Sequence, residues 1–209
     1  MKLYDCTVAP SPRRVRIFLA EKGVTLDTVQ VDLMNGENLG SEFLKINPRG
    51  TVPVLQLDDG TCIDETVPIC RYIEELYPDP PLMGTDAKSR AVIAMRTRHV
   101  EWDGFLAGAE AFRNASPAFA DRGIPGVSGV PAIPELAKRG LAGLSRFFDR
   151  LEAVLAENKF IAGDRYSIAD ITGLCVVDFA RWVKQSVPET HRHTLRWYEQ
   201  VSSRPSAKA

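Results

Sequence analysis

A proline at the start of a short apolar run is the feature that most limits how this chain can fold. In Asn47-Pro-Arg-Gly-Thr-Val-Pro-Val-Leu55, Pro53 stands where the following residues are typical of a β-strand. Because proline has no backbone N–H to give to a sheet, it favours either an edge strand or a cis Val52–Pro53 bond. An exposed strand edge can pair with an extended, peptide-like ligand.

An acid and a hydroxyl follow this run at the start of a helical pattern. Glu65 and Thr66 precede apolar residues that recur at helical spacing as far as Tyr77. The free N–H groups of a helix N-terminus can hold a carboxylate, and Glu65 can pair with an ammonium group. The two segments together predict a site for a small peptide.

The first 77 residues predict a small α/β unit. Its elements are a strand at 2–4, a helix ending at Gly23, a strand over Val29–Leu33, two strands at 54–57 and 62–63 joined by Asp59-Gly60, and a helix at 66–77. This order of elements, βαβ, then a short helix, then ββα, is that of a thioredoxin-like domain.

The rest of the chain predicts an all-α helical-bundle domain. The run Pro78-Asp-Pro-Pro81 stops the preceding helix and predicts a linker over residues 78–86, followed by a helical domain at 87–209. A long amphipathic helix is predicted from about 88 to 112. The Pro- and Gly-rich segment Ser116–Pro134 predicts a mobile loop.

One sequence signal in this second domain is structural. Ser167 is followed three residues later by Asp170, which predicts a capping box at the start of a buried helix.

Composition excludes several classes of function. The net charge of −1 argues against nucleic acid or an anionic membrane as the main partner, and no apolar run approaches the roughly 20 residues of a membrane span. The four cysteines show no C-x-x-C spacing, which favours a reducing, cytoplasmic location. His191-x-His193 lacks further ligands at suitable spacing, so no metal site is predicted.

The ordered set of motifs closely resembles the cytosolic glutathione transferases, in particular bacterial-type sequences of the serine and cysteine branches. The resemblance rests on Asn47–Leu55, on Glu65-Thr66 leading into Ile69–Ile73, on Arg13–Gly23 upstream and on Phe160–Ile171 downstream. Any one of these motifs is weak alone, but together they span most of the chain in the expected order. The resemblance implies a thioredoxin-like domain, a helical domain and glutathione as co-substrate.

The resemblance also implies which residues bind glutathione. Val52 would exchange backbone hydrogen bonds with the cysteinyl part, and Pro53 would fix that geometry. Glu65 and Thr66 would hold the γ-glutamyl end, with Thr66 in place of the more common serine.

The glycyl carboxylate of glutathione needs a donor or a cation. Asn38 and Arg49 are the two candidates for this contact. The lysine that many members of the family carry just before Val-Pro is replaced by Thr51.

The chain departs from the family pattern at the catalytic position. The residue expected to donate a hydrogen bond to the glutathione sulfur is Ala9, which has no side-chain donor, although Pro10 matches after it. Ser11 is the preferred replacement because it can offer a hydroxyl and an N–H at the start of the first helix, where its alternative role is a plain helix cap. Thr7 and Cys6 are further candidates, and backbone N–H groups alone could also favour the thiolate.

The second substrate would lie against the helical domain. An apolar pocket beside the sulfur could be lined by five aromatic residues: Trp102, Phe105, Phe112, Phe119 and Trp182. A basic group on the long helix could bind an acidic substrate, the candidates being Arg96, Arg98 and His99. Each of these residues has an ordinary alternative in the core or on the surface.

The leading hypothesis is a homodimeric enzyme that conjugates glutathione thiolate to small, mostly apolar electrophiles. Two alternatives stay open at this point. One is a glutathione-dependent disulfide or peroxide reductase, and the other is a non-catalytic binding protein that lost its donor at Ala9. Fold alone cannot choose among these functions.

Overall fold

A computed structural model describes residues 1–209 and shows a sheet-containing N-terminal part followed by a helical C-terminal part. The N-terminal elements are β1 (Lys2–Asp5), α1 (Pro10–Lys22), β2 (Asp27–Gln30), α2 (Ser41–Ile46), β3 (Val54–Gln56), β4 (Cys62–Asp64) and α3 (Thr66–Leu76). The C-terminal helices are α4 (Ala87–Val100), α5 (Leu106–Ala115), α6 (Pro134–Glu157), α7 (Ile168–Ala180) and α8 (Arg192–Ser202). The predicted fold class is confirmed, whereas the domain boundaries proposed from sequence stay predictions. No helix is both long and apolar enough to cross a membrane.

The sheet has four strands in the order β2-β1-β3-β4. Strand β1 pairs in parallel with β2 and antiparallel with β3, and β3 pairs antiparallel with β4. The edge-strand explanation of Pro53 is therefore wrong, because β3 is an interior strand. The cis explanation is confirmed: Val52–Pro53 is a cis bond immediately before β3, so proline withholds no ladder donor.

Strand β2 lies earlier in the chain than its alternating valines predict. It covers Asp27–Gln30, because the ladder with β1 ends where Asp5 pairs with Gln30. Val31 adds one further bond, from its N–H to the Asp5 carbonyl at 2.8 Å. Burial of alternate side chains thus continues past the end of the strand itself.

Helix α1 separates the sheet from the helical part. It begins at Pro10, where a missing N–H costs nothing, and ends at Gly23, whose φ of 65° suits glycine. One set of its side chains packs with α3 and another with α7, in a continuous apolar core that includes Val15, Phe18, Ile69, Ile73, Ile171 and Leu174. The N-terminus of α1 is therefore held firmly at the junction of the two parts.

The predicted long helix is present with an interruption. Between α4 and α5 the chain forms a π-helical turn, Glu101–Phe105. Gly104 of this turn is packed so closely that an added Cβ would lie 2.7 Å from Val176 and 3.0 Å from the Phe147 ring. Tight packing of the turn against α6 and α7 accounts for glycine at this position.

The 116–133 segment, for which composition predicts a mobile loop, forms local structure and contacts the N-terminal part. It contains a 3₁₀ turn at Pro117–Phe119 and a bridge between Arg122 and Val130. Arg122 Nη1 donates to the Leu33 carbonyl of the N-terminal part at 3.0 Å. A Cβ on Gly126 would lie 2.0 Å from the Arg49 carbonyl oxygen, so glycine permits this close backbone approach.

The predicted capping box at Ser167 and Asp170 is confirmed and is fully buried. The Asp170 carboxylate accepts from the Ser167 N–H at 2.9 Å, the Ile161 N–H at 2.9 Å and Trp197 Nε1 at 2.8 Å. One side chain thereby joins the start of α7, the preceding loop and α8.

This convergence predicts that Asp170→Ala is severely destabilising. Three buried donors would lose their acceptor, at about 1–3 kcal/mol each, so we expect a loss of at least about 3 kcal/mol in the free energy of unfolding. The control is Asp86→Ala in the exposed capping box of α4, where about 1 kcal/mol is expected. Urea unfolding of both variants measures the difference, and equal losses would contradict the structural role of Asp170.

Candidate active site

Helix α1 offers a single free backbone donor at its N-terminus. Ala9 is the N-cap and has no side chain to bond the first turn. Pro10 and Pro12 have no N–H, and the Arg13 N–H is used on the Ala9 carbonyl at 3.3 Å. Ser11 therefore holds the one unpaired N–H of this turn, and the alternative of Ser11 as a plain helix cap is wrong.

The Ser11 hydroxyl also has its proton free. Arg14 Nη2 donates to Ser11 Oγ in a long contact of 3.4 Å, while Arg14 Nη1 bonds Glu101 at 2.7 Å. A hydroxyl that accepts from a cation directs its own O–H elsewhere. Ser11 lines a cavity of the molecule, so both of its donors are available to a ligand there.

The other two candidate donors are less well placed. Thr7 donates both its N–H and its hydroxyl to Gln30 Oε1, at 2.9 Å and 2.8 Å, and lies outside the cavity. Cys6 does line the cavity but is buried, with 7% of its surface exposed. Its carbonyl accepts the Ala9 N–H, which tightens the turn into α1.

Val52 presents unpaired backbone groups to the same cavity. Neither its N–H nor its carbonyl has a hydrogen-bond partner within the chain. The loop before it is held by Asn47, whose Nδ2 donates to the Thr51 carbonyl at 2.9 Å and whose Oδ1 accepts the Arg49 N–H at 3.0 Å. Fixed, unsatisfied backbone groups beside the cis Pro53 suit pairing with a peptide-like ligand.

Glu65 and Thr66 lie at the start of α3, as predicted. Glu65 is the N-cap with φ of 67° and an exposed side chain, a conformation that costs a non-glycine residue about 1–3 kcal/mol. Thr66 is buried and donates its hydroxyl to the Ser11 carbonyl at 3.2 Å. This bond ties the N-terminus of α3 to that of α1.

The two candidates for a carboxylate contact differ in their surroundings. Asn38 is buried, its Nδ2 donates to the Gly50 carbonyl at 2.7 Å, and its unpartnered Oδ1 is an acceptor. It is therefore placed to hold the Gly50–Thr51 backbone. Arg49 is exposed and outside the cavity, 3.6 Å from Asp64 and 3.9 Å from Glu65.

An aromatic cavity of about 320 Å³ lies beside Ser11 and Val52. Four of the five predicted aromatic residues line it, together with Phe179. Phe112 packs edge-on against Phe119, Phe179 and Trp182 with ring centroids 5.2–5.7 Å apart. The prediction that Trp102 lines the cavity is wrong, because this residue is 61% exposed on the outer face.

The predicted basic residues of the long helix are also misplaced. Arg96, Arg98 and His99 do not line this cavity, and Arg98 instead pairs with Glu101 at 3.7 Å and stacks over Trp102. The cations that do line it are Arg113 and Arg122, and neither was among the candidates predicted from the sequence. Their closeness in sequence to Phe112 and Phe119 was the available signal.

One acid, Asp32, also lines the cavity. It accepts from the N–H groups of Met34 and Asn35, each at 3.0 Å, and from Asn35 Nδ2 at 2.6 Å. The Asn35 N–H in particular lowers the pKa of this carboxylate. The Asp32 carboxylate is thus already hydrogen-bonded within its own turn.

Comparison with known proteins agrees with this fold. Residues 9–76 match the model of the glutathione S-transferase N-terminal domain, and residues 116–205 match that of the C-terminal domain. Glutathione S-transferase 2 of Saccharomyces cerevisiae is 36% identical over 219 residues, covering 100% of this chain and 88% of that protein.

Solved structures give the same result. Gtt2 from Saccharomyces cerevisiae superposes with a TM-score of 0.92 at 35% identity, covering 100% of this chain and 99% of that one. A glutathione S-transferase domain-containing protein from Marinobacter aquaeolei VT8 gives a TM-score of 0.91 at 39% identity, with 99% of each chain covered.

A thioredoxin-like sheet beside a helical bundle, together with these matches, defines a glutathione-dependent enzyme. The chain belongs to the cytosolic glutathione S-transferase superfamily. It is a glutathione S-transferase, and glutathione is its co-substrate. This assignment replaces the non-catalytic alternative.

The site predicts a specific pattern of glutathione affinity in variants of the α3 N-terminus. Glu65→Ala should weaken binding by about 1.5–3 kcal/mol if the exposed Glu65 carboxylate is the partner of the γ-glutamyl ammonium. Thr66→Val should cost about 1 kcal/mol, since the hydrogen bond that ties the N-terminus of α3 to the Ser11 carbonyl is lost, whereas Thr66→Ser should bind normally. Calorimetric titration with glutathione measures all three affinities.

Two controls separate binding from folding. Glu75→Ala removes the same charge at an exposed position of α3 and should leave the affinity unchanged. Glu65→Gly should lose affinity while keeping or raising the free energy of unfolding, because glycine adopts a positive φ without strain. Unchanged affinity in both Glu65 variants would contradict the assignment of the γ-glutamyl site.

Proposed function

We propose that this enzyme joins the thiolate of glutathione to small, mostly apolar electrophiles. The observation that carries the proposal is the continuity of one cavity, which has Ser11 and Val52 at one side and an aromatic cluster around Phe112 at the other. The sulfur attacks an electrophilic carbon, a C–S bond forms, and the displaced group leaves with its electron pair. The thiol proton passes to solvent when the thiolate forms.

Ser11 is the residue proposed to favour the thiolate. Its N–H is the free donor of the first turn of α1, and its hydroxyl proton is not used within the chain. The positive end of the helix dipole adds to both donors. Each unit by which the thiol pKa falls corresponds to about 1.4 kcal/mol of preference for the anion.

The other glutathione contacts are proposed as follows. Val52 pairs with the cysteinyl part through its backbone, in the geometry fixed by Pro53, and Glu65 and Thr66 hold the γ-glutamyl end. For the glycyl end, Asn38 acts by holding the Gly50–Thr51 backbone. Arg49 is the exposed cation that supports this end from outside the cavity.

A second candidate activity is glutathione-dependent reduction of disulfides or peroxides, which the position of Cys6 in the cavity wall favours. Parallel assays with a halogenated nitroaromatic, cumene hydroperoxide and hydroxyethyl disulfide distinguish the two. Conjugation should dominate in the parent and persist in Cys6→Ser. Activity that appears with the disulfide alone and disappears in Cys6→Ser would favour the reductase.

We also propose a cytoplasmic homodimer. Support for dimerisation comes from Met95, Trp102 and Leu106, which are exposed apolar residues along one face of α4, the π turn and α5. Closed two-fold pairing is the commonest way to cover such a face. All four cysteines are free, which is consistent with a reducing compartment.

The role of Ser11 predicts a loss of turnover in Ser11→Ala. We expect turnover to fall about ten- to a hundredfold, or about 1.4–2.8 kcal/mol in barrier, with a modest change in glutathione affinity. Ala9→Ser should leave turnover similar or raise it, because a hydroxyl returns to the N-cap. Thiolate absorbance of the bound complex against pH measures the thiol pKa directly.

The titration also decides how the thiol is activated. In the parent, bound glutathione should titrate well below the value of about 8.5 that is usual for a free thiol. If Ser11→Ala titrates like the parent, the backbone N–H and not the hydroxyl stabilises the anion. A parent complex with an ordinary thiol pKa would contradict the proposed mechanism.

The exposed face predicts a dimer in solution. Sedimentation equilibrium at micromolar concentration should give twice the chain mass of 23.1 kDa. Trp102→Glu should shift the mass toward one chain, because a charge would be placed in the apolar contact, while Glu75→Ala should not. A single-chain mass for the parent protein would refute dimerisation.

A further inference from the structure

Two arginines line the aromatic end of the cavity without a carboxylate partner. Arg113 lies near the end of α5, and Arg122 lies in the 116–133 segment. Neither forms an ion pair, whereas Arg139 of α6 is paired with Glu110 of α5. Burial lowers the pKa of Arg113, and the nearby charge of Arg122 lowers it further. The two charges therefore add to a positive electrostatic potential at the partly desolvated, aromatic end of the cavity.

The two guanidinium groups are held in position by neutral contacts. Both stack on Phe119, with the guanidinium carbons 4.6 Å and 5.1 Å from its ring centroid for Arg113 and Arg122 respectively. Arg113 Nη1 donates to the Arg122 carbonyl at 2.6 Å. Arg122 donates to the carbonyls of Leu33 at 3.0 Å and Ala118 at 3.1 Å. Carbonyl oxygens orient a guanidinium but do not neutralise its charge.

The free donors belong mainly to Arg113. Of the five N–H groups of its side chain, one is used, so the planar edge that recognises a carboxylate is available. Arg122 donates to three backbone carbonyls, so it contributes mainly its positive charge. Asp32 lines the same cavity but lies beyond ion-pairing distance of both arginines, and its oxygens are engaged by Met34 and Asn35.

We propose that the preferred electrophile carries a carboxylate, bound by Arg113 and Arg122, on an aromatic or conjugated body that packs against Phe112, Phe179 and Trp182. This inference rests on the proposed conjugation activity. It narrows the substrate class: among small, mostly apolar electrophiles it selects planar ones that carry a carboxylate. The glycyl end of glutathione has the same chemistry, so the test must separate the two carboxylates.

The experiment compares two electrophiles that differ only in charge. A chloronitrobenzoate, with chlorine para to the carboxylate, and the amide of the same acid both react by attack of the glutathione sulfur at the carbon bearing chlorine. The C–S bond forms and chloride leaves. The measured quantity is kcat/KM for the acid divided by kcat/KM for the amide, each corrected by its uncatalysed rate, together with the KM for glutathione.

In the parent this ratio should exceed one, and Arg113→Gln should lower it about 10- to 100-fold, as expected when a charge-assisted contact is lost. Arg113→Lys should keep part of the preference, because the charge remains without the planar fork. Arg146→Gln, a charge loss at an exposed position of α6, is the control and should keep the parent ratio.

The other outcomes contradict either this inference or the conjugation proposal. If the ratio is unchanged in Arg113→Gln while the KM for glutathione rises, the arginines bind the glycyl carboxylate and the inference is overturned. Turnover of the amide without preference for the acid also overturns it but leaves conjugation intact. If neither compound reacts, the conjugation proposal fails, and calorimetry with the unreactive nitrobenzoate and nitrobenzamide still tests acid binding at Arg113.

Discussion

The rest of the site depends on the contacts of one buried cation, Arg14. It is 5% exposed, bonds Glu101 at 2.7 Å, packs over the Phe105 ring at 4.4 Å and contacts the Ser11 hydroxyl. One side chain thus joins the helix that carries the proposed thiolate donor to the wall of the aromatic cavity. Removing one partner of such a buried pair typically costs about 3–5 kcal/mol, because the other charge is left uncompensated.

The π turn at Glu101–Phe105 explains how neighbouring residues serve opposite faces. Glu101 reaches back to Arg14, Phe105 lines the cavity, and Trp102 between them is exposed. A π turn inserts an extra residue into the helical repeat, so the faces of α4 and α5 are rotated relative to one another. The turn therefore lets one long helical element supply both an outer apolar face and an inner pocket wall.

Features set by local chemistry could be predicted from the sequence. The end of α1 at Gly23, the capping box of Ser167 and Asp170, and the start of α3 at Thr66 all follow from neighbouring residues. The cis Val52–Pro53 bond was one of only two explanations that the missing N–H allowed.

Features set by distant contacts could not be predicted. The interior place of β3 depends on pairing with β1, far away in sequence. The choice of Arg113 over Arg98 as a cavity residue depends on the helical phase, which the π turn changes. Arg122 of the 116–133 segment donates to the carbonyls of Leu33 and Met34 in the N-terminal part, a contact that composition alone does not reveal.

The double attachment of the 116–133 segment has a thermodynamic consequence. Arg122 rests on the Leu33 carbonyl, and Gly126 lies against the backbone at Arg49, close to the proposed glutathione loop, while Phe119 belongs to the aromatic wall. A ligand that shifts the conformational equilibrium of this segment from one side must alter affinity on the other side, and reciprocity requires the two effects to be equal in free energy. Where one substrate shifts this segment, its effect on the affinity of the other would pass through a stretch of polypeptide that neither of them needs to bridge directly.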